Sequence, residues 1–169
     1  MKAIISSTYD DRYLYFLPIV TWCWNRLGVD VICFMPRLNK GQTVANDKER
    51  LIYSFTRNMS LKQYYFDAPE HKEATYAQCS RLYGACLDLP EDEILVTGDV
   101  DMAVFEVPPH YNNITIWGHD LVPPEQYPIC YATGTVKMWR TYFELNDKTY
   151  QECLDDLLGH IETEHFRGN

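Results

Sequence analysis

Glu93-Ile94-Leu95-Val96-Thr97-Gly98-Asp99-Val100-Asp101-Met102-Ala103-Val104-Phe105 is the stretch on which the reading of this chain turns. An apolar, β-branched run climbs to a glycine and then meets two carboxylates one residue apart. Turn signals bracket it, Leu89-Pro90-Glu91-Asp92 before and Pro108-Pro109 after, so the run reads as a strand buried on both faces. Residues i and i+2 of a strand share a face, so Asp99 and Asp101 project together, or splay around a tight turn where the strand ends. Two such carboxylates repel each other and resist desolvation unless something cationic sits between them. A hard divalent ion with oxygen ligands meets that need. A plain solvated strand-to-loop junction is the competing reading, and the rest of the chain has to separate the two.

Upstream, Lys2 to Ser6 reads as a first strand ending in the polar cluster Ser6-Ser7-Thr8-Tyr9-Asp10-Asp11. Tyr13 to Leu27 carries Leu14, Leu17, Val20, Trp24 and Leu27 at helical spacing, with Gly28 as the stop; Pro18 predicts a helix that starts near it or kinks. Val29 to Met35 is a second strand closed by Pro36. A β-loop-α-β opening is the unit of a parallel sheet, whose ligands sit beyond the carboxyl ends of the strands. Ser6 to Asp11 is therefore a candidate ligand loop. It holds no Gly-x-Gly-x-x-Gly dinucleotide fingerprint. A turn over Asn39 to Thr43, a helix over Asp47 to Arg57 and a strand over Lys62 to Phe66 follow. Glu73 to Leu87 is predicted as one helix with Arg81 in its middle, either a solvated charge or a cation leaning over the Asp-x-Asp end of the next strand.

A length of 169 residues predicts one domain with a real core. Thirteen tyrosines suit half-buried surfaces and grooves with one apolar and one polar edge. A formal charge of -9 argues against a nucleic-acid backbone as partner, though not against a nucleotide held through a metal. Six cysteines without a Cys-x-x-Cys pair read as reduced, buried thiols, Cys79 and Cys86 on one helical face. No apolar run suits a signal peptide or a membrane span, so the expectation is a soluble protein of a reducing, cytoplasmic compartment.

Downstream, Asn113 to Trp117 alternates as a strand and a proline-rich connection (Pro123, Pro124, Pro128) follows. Ile129 to Ala132 is a short strand running into Thr133-Gly134-Thr135. Glu144 to Ile161 is an amphipathic helix with Asp147 as N-cap. The chain then stops at Asn169 with no closing strand, which fits a fragment of a longer polypeptide.

This order of elements, with Ile-Leu-Val-Thr-Gly-Asp-Val-Asp-Met at 94–102, resembles glycosyltransferases of the GT-A fold. It is also loosely similar to the N-terminal domain of a chlorovirus multidomain glycosyltransferase that builds capsid glycans. The resemblance implies a single Rossmann-like α/β domain with a mostly parallel central sheet flanked by helices. It implies transfer of a sugar from a nucleoside-diphosphate donor, UDP-sugar favoured, to a glycan or protein-linked glycan hydroxyl, in the host cytoplasm if the protein is viral. Asp99 and Asp101 would hold Mn2+ or Mg2+ against the diphosphate, with Arg81 adding charge nearby. Ser6, Thr8 and Tyr9 would face the nucleoside, Tyr9 as a stacking surface. Thr133 and Gly134 match the position that lines the sugar and acceptor pocket; an ordinary turn is the equal alternative there.

A base for the acceptor hydroxyl stands in no motif. Asp120 and Asp156 are the leading candidates, beside Asp155, Glu162 and Glu164, and His165 or His160 is the candidate late metal ligand. The rival enzyme is a haloacid-dehalogenase-like phosphatase, which also uses Asp-x-Asp after a buried strand but early in the chain. The rival non-enzyme is a binding domain on the same fold.

Overall fold

A computed structural model of the chain describes residues 1–37, 43–118, 120, 123, 130–145 and 147–164. The expected turn at 39–43, Pro124, Pro128, Ile129 and His165 lie outside them wholly or in part, as do the side chains of His160, Glu162 and Glu164. The elements are β1 (Lys2–Ser6), α1 (Asp11–Leu14), α2 (Leu17–Arg26), β2 (Asp30–Pro36), α3 (Thr43–Thr56), β3 (Leu61–Phe66) and α4 (Glu73–Ser80). A 3-10 helix (Arg81–Cys86) then leads to β4 (Ile94–Thr97), β5 (Thr115–Ile116), β6 (Ala132–Thr135), α5 (Val136–Tyr142) and α6 (Tyr150–Glu164).

Six strands form one sheet in the order β3-β2-β1-β4-β6-β5. β3, β2, β1 and β4 run parallel, and β6 runs antiparallel to both β4 and β5. This is the α/β, mostly parallel sheet flanked by helices that the sequence implies. Strand alternation divides the core between the two faces. Ala3, Ile5, Val31, Cys33 and Val96 pack with Leu17, Val20 and Trp24 of α2, while Ile4, Ile32, Phe34 and Leu95 pack with Tyr76, Ala77, Tyr83 and Leu154.

Pro18 sits in the first turn of α2, so the helix starts near it, one of the two outcomes the sequence implies, and Tyr13 and Leu14 belong to the separate α1. Gly28 stops α2 in the left-handed region, at φ 75, as the sequence implies.

The expected helix 73–87 is corrected: it ends at Ser80 and tightens into the 3-10 helix. The cause is tertiary. A Cβ on Gly84 would lie 3.0 Å from Cγ1 and 3.1 Å from Cδ1 of Ile4, so this segment presses its backbone onto β1. Gly84→Ala should therefore destabilise the fold by about 1–3 kcal/mol through overpacking against a branched core side chain, measured by chemical denaturation.

The strand around Asp99 is also shorter than its apolar run, ending at Thr97, and Thr133 to Thr135 are strand rather than turn. The cap of α6 is Thr149 rather than Asp147, which is left-handed at φ 60. Glu152 N donates to Thr149 Oγ1 at 3.3 Å and Thr149 N donates to Glu152 Oε2 at 2.8 Å, a reciprocal capping box already spelled by Thr149-x-x-Glu152.

All six cysteines are free. Cys86 faces not Cys79 but Cys153 of α6, with 3.7 Å between the sulfurs. Burial pushes the thiols of Cys33, Cys79, Cys86 and Cys153 up, that of Cys86 to about 12. Unfolded thiols ionise near about 8.5, so above that pH the folded chain keeps protons that the unfolded chain sheds. Stability should be fully present below about pH 8.5 and fall as pH rises toward the folded values. Thermal melts across pH 7 to 11 under reductant check this, and a flat profile contradicts it.

Candidate functional site

The strand order reverses between β1 and β4, and the site forms where their carboxyl ends lie side by side. Gly98 N donates to Ile4 O at 3.0 Å, and Ser7 N donates to Phe34 O at 3.0 Å, which fixes the two turns that leave the sheet. A cavity of about 310 Å³ opens there, lined by Ser6, Ser7, Thr8, Tyr13, Gln78, Arg81, Asp99 and Asp101 among others.

Val100 points into the core, buried with Val104 against α2 and the sheet, and this sets its neighbours Asp99 and Asp101 toward the cavity. The same-face relation expected of a strand is thus kept by a turn. Arg81, 6% exposed, donates from Nη1 to Gly98 O at 3.0 Å and to the Asp99 carboxylate, with which it is ion-paired. Its Nε donates to Gln78 O at 3.3 Å. The 3-10 helix therefore places Arg81 as the fixed counter-charge of Asp99. Asp101 is exposed and makes no hydrogen bond or ion pair among the described residues.

No group of three or more His, Cys, Asp or Glu side chains suited to a metal forms among the described residues. Two carboxylates that share a cavity still fit Mg2+ or Mn2+, because such ions are commonly held by one or two carboxylates plus phosphate oxygens and water.

The structure thus brings Ser6, Thr8, Arg81, Asp99 and Asp101 together. It places the other candidates elsewhere. The Tyr9 phenol donates to Glu49 Oε1 at 2.6 Å and lines a separate cavity with Glu49, Tyr53 and Tyr65. Burial and that carboxylate push the Tyr9 phenol up. Thr133 is fully buried opposite Val96, and its Oγ1 donates to Pro109 O at 3.4 Å. Gly134 lies opposite Leu95, where a Cβ would meet Ile114 Cγ1 at 3.1 Å; its lack of a side chain serves packing in the sheet. Asp120 is exposed. Asp156, on α6, pairs with Lys148 at 2.6 Å beside Tyr83 and Leu157. Asp155 accepts from the Tyr76 hydroxyl at 3.2 Å. Tyr13 and Gln78 are the cavity residues that sequence reasoning missed. Gln78 precedes Arg81 by one turn and Tyr13 follows Tyr9 by four residues, spacings that would have found them.

Comparison with known proteins adds the fold. No protein-family model matches the chain, and no curated protein matches it. Solved structures do. The glycosyltransferase GlyE of Streptococcus pneumoniae TIGR4 is similar at TM-score 0.55 and 12% identity, over 99% of this chain and 40% of that one. Its apo form matches at TM-score 0.54. The galactosyltransferase LgtC, in complex with donor and acceptor sugar analogs, is similar at TM-score 0.51 and 11% identity, over 93% of this chain and 70% of that one. The chain spans 40% of the length of GlyE. Its helix-flanked sheet is the fold shared by these two glycosyltransferases.

Proposed function

We propose that this chain is the donor-binding domain of a metal-assisted glycosyltransferase, moving a sugar from a nucleoside diphosphate, UDP favoured, to a hydroxyl of a glycan or protein-linked glycan. One observation carries the reading: Asp99 and Asp101 face one cavity at the β1–β4 switch point, with a buried arginine fixing the first. The likeness of fold to GlyE and LgtC supports it. Ser6 and Thr8 take the nucleoside side of the cavity, with Tyr13 rather than Tyr9 as its aromatic wall. Arg81 holds the Asp99 carboxylate in place by its ion pair. Asp99 and Asp101 hold Mn2+ or Mg2+, which when bound neutralises the departing diphosphate as a Lewis acid. The domain works as part of a longer polypeptide and in a reducing compartment, as its free thiols suit. No helix among the described residues is long and apolar enough to cross a membrane.

The phosphatase alternative needs Asp99 free as a nucleophile, and its ion pair with Arg81 counts against that. Thermal shift with nucleoside diphosphates and nucleotide-sugars, with and without Mn2+, tests the proposal. A ligand at about a hundred times its Kd should stabilise the fold by about 2.7 kcal/mol. The expected response is confined to one nucleobase and requires the metal. A flat response across the panel favours the non-catalytic binding domain.

A further inference from the structure

Beside the Asp99–Asp101 cavity lies a second groove, of about 330 Å³, between the loop 103–109 and the side chains of Trp117 and Tyr131. We propose that this groove binds the acceptor, as a neutral saccharide stacked on its aromatic wall; the proposal rests on the transferase reading above.

The groove is built rather than incidental. Val100 and Val104 anchor its loop in the core, which leaves Phe105, between them and the two prolines, 88% exposed at the rim. The facing wall is tied down: Trp117 N donates to Tyr131 O at 2.8 Å, and Thr133 Oγ1 donates to Pro109 O at 3.4 Å. Tyr111, 56% exposed, carries the aromatic surface outward with its ring centroid 6.0 Å from that of Trp117.

Its chemistry selects the ligand class. Among the described residues no lysine, arginine or histidine lines the groove, and Glu106 adds a negative charge, so a second phosphate or an anionic headgroup is disfavoured. A sugar ring offers an apolar C–H face to aromatic rings and hydroxyls to the groups at their edges. Those groups are the Glu106 carboxylate and the Tyr131 phenol.

Its position selects the role. Asp101 borders the donor cavity and Ala103, two residues on, borders the groove. A hydroxyl held in the groove is thus next to the place where the bond to the diphosphate breaks, the proximity that transfer requires.

The test is saturation-transfer NMR on the whole chain with a panel of neutral hexose, N-acetylhexosamine and deoxyhexose oligosaccharides, with and without excess UDP and Mn2+. An oligosaccharide should bind, persist under UDP and Mn2+, and bind about tenfold or more weakly in Phe105→Ala and Trp117→Leu, as expected for loss of a buried aromatic contact. Phe105→Ala removes an exposed ring and leaves the core intact, so its result stands even if Trp117→Leu folds poorly. No saccharide binding, binding equal in Phe105→Ala, or displacement by UDP overturns the groove. UDP and Mn2+ binding is measured by calorimetry on the same samples. Its absence in the unaltered chain sinks the transferase reading, while the saccharide result still decides the groove.

Discussion

Asp101→Asn should abolish metal-dependent binding of nucleoside diphosphate while leaving the fold as stable as before. The substitution keeps the shape of the side chain and removes its charge, replacing a hard anionic ligand by a neutral amide oxygen. Changes to groups that merely orient a metal's ligands cost about 10–100-fold in affinity, so loss of one of only two carboxylates should cost about a hundredfold or more. Asp101 is exposed and makes no hydrogen bond or ion pair among the described residues, so unfolding free energy should move by less than about 0.5 kcal/mol. Calorimetric titration of UDP with and without Mn2+, beside a denaturation curve, reads both quantities. Metal-dependent UDP binding that survives Asp101→Asn removes the main support for the site.

Arg81→Met should have the opposite profile, with stability lost first. Arg81 is 6% exposed and supplies the ion pair to Asp99 together with bonds to Gly98 O and Gln78 O. Removing it leaves three acceptors without that donor, one of them a carboxylate. Breaking a buried pair from one side costs about 3–5 kcal/mol, and the lower figure is expected because Asp99, 30% exposed, can recruit water. For a chain of this size that corresponds to a fall in Tm of about 6–12 °C. Adding Asp99→Asn to Arg81→Met should recover part of the loss, because the uncompensated charge is then gone. A single variant that melts with the unaltered chain would show that the pair contributes nothing to the fold.

The contrast between these two positions marks what was legible in the sequence. β1, β3 and the start of α4 were readable because strand alternation and apolar runs are local signals that tertiary packing here reinforces. Gly98-Asp99-Val100-Asp101 was readable for the same reason: one buried valine between two carboxylates dictates where both point. Arg81 was found with a place over the Asp-x-Asp end as one of two readings, and its pairing with Asp99 bears that one out; a local window could not choose between them, since the choice depends on a helix tightening where Gly84 meets Ile4. Tyr9 and Tyr13 stand four residues apart, one in the polar loop after β1 and the other in α1, and the hydrogen bond from Tyr9 to Glu49 of α3 separates their roles. Thr133 and Gly134 looked like a ligand turn because glycine in a short run mimics one. Their pairing with Val96 and Leu95 is a long-range fact that no local window contains.

The central place of β1 has a consequence for synthesis. β1, β2 and β3 can pair once residue 66 has emerged, but the other edge of β1 is filled only by β4. Roughly thirty residues separate those events, about 2–6 s at a translation rate of about 5–20 residues per second. Through that interval the nascent chain presents Ala3-Ile4-Ile5 on a bare parallel edge, the kind of surface that recruits foreign strands. The arrival of β4 closes that edge and delivers Asp99 and Asp101 to the polar loop of β1 in one movement. Ligand-binding competence in a ribosome-bound chain would therefore appear at the same length at which the edge is sealed, making nucleotide binding a reporter of sheet completion.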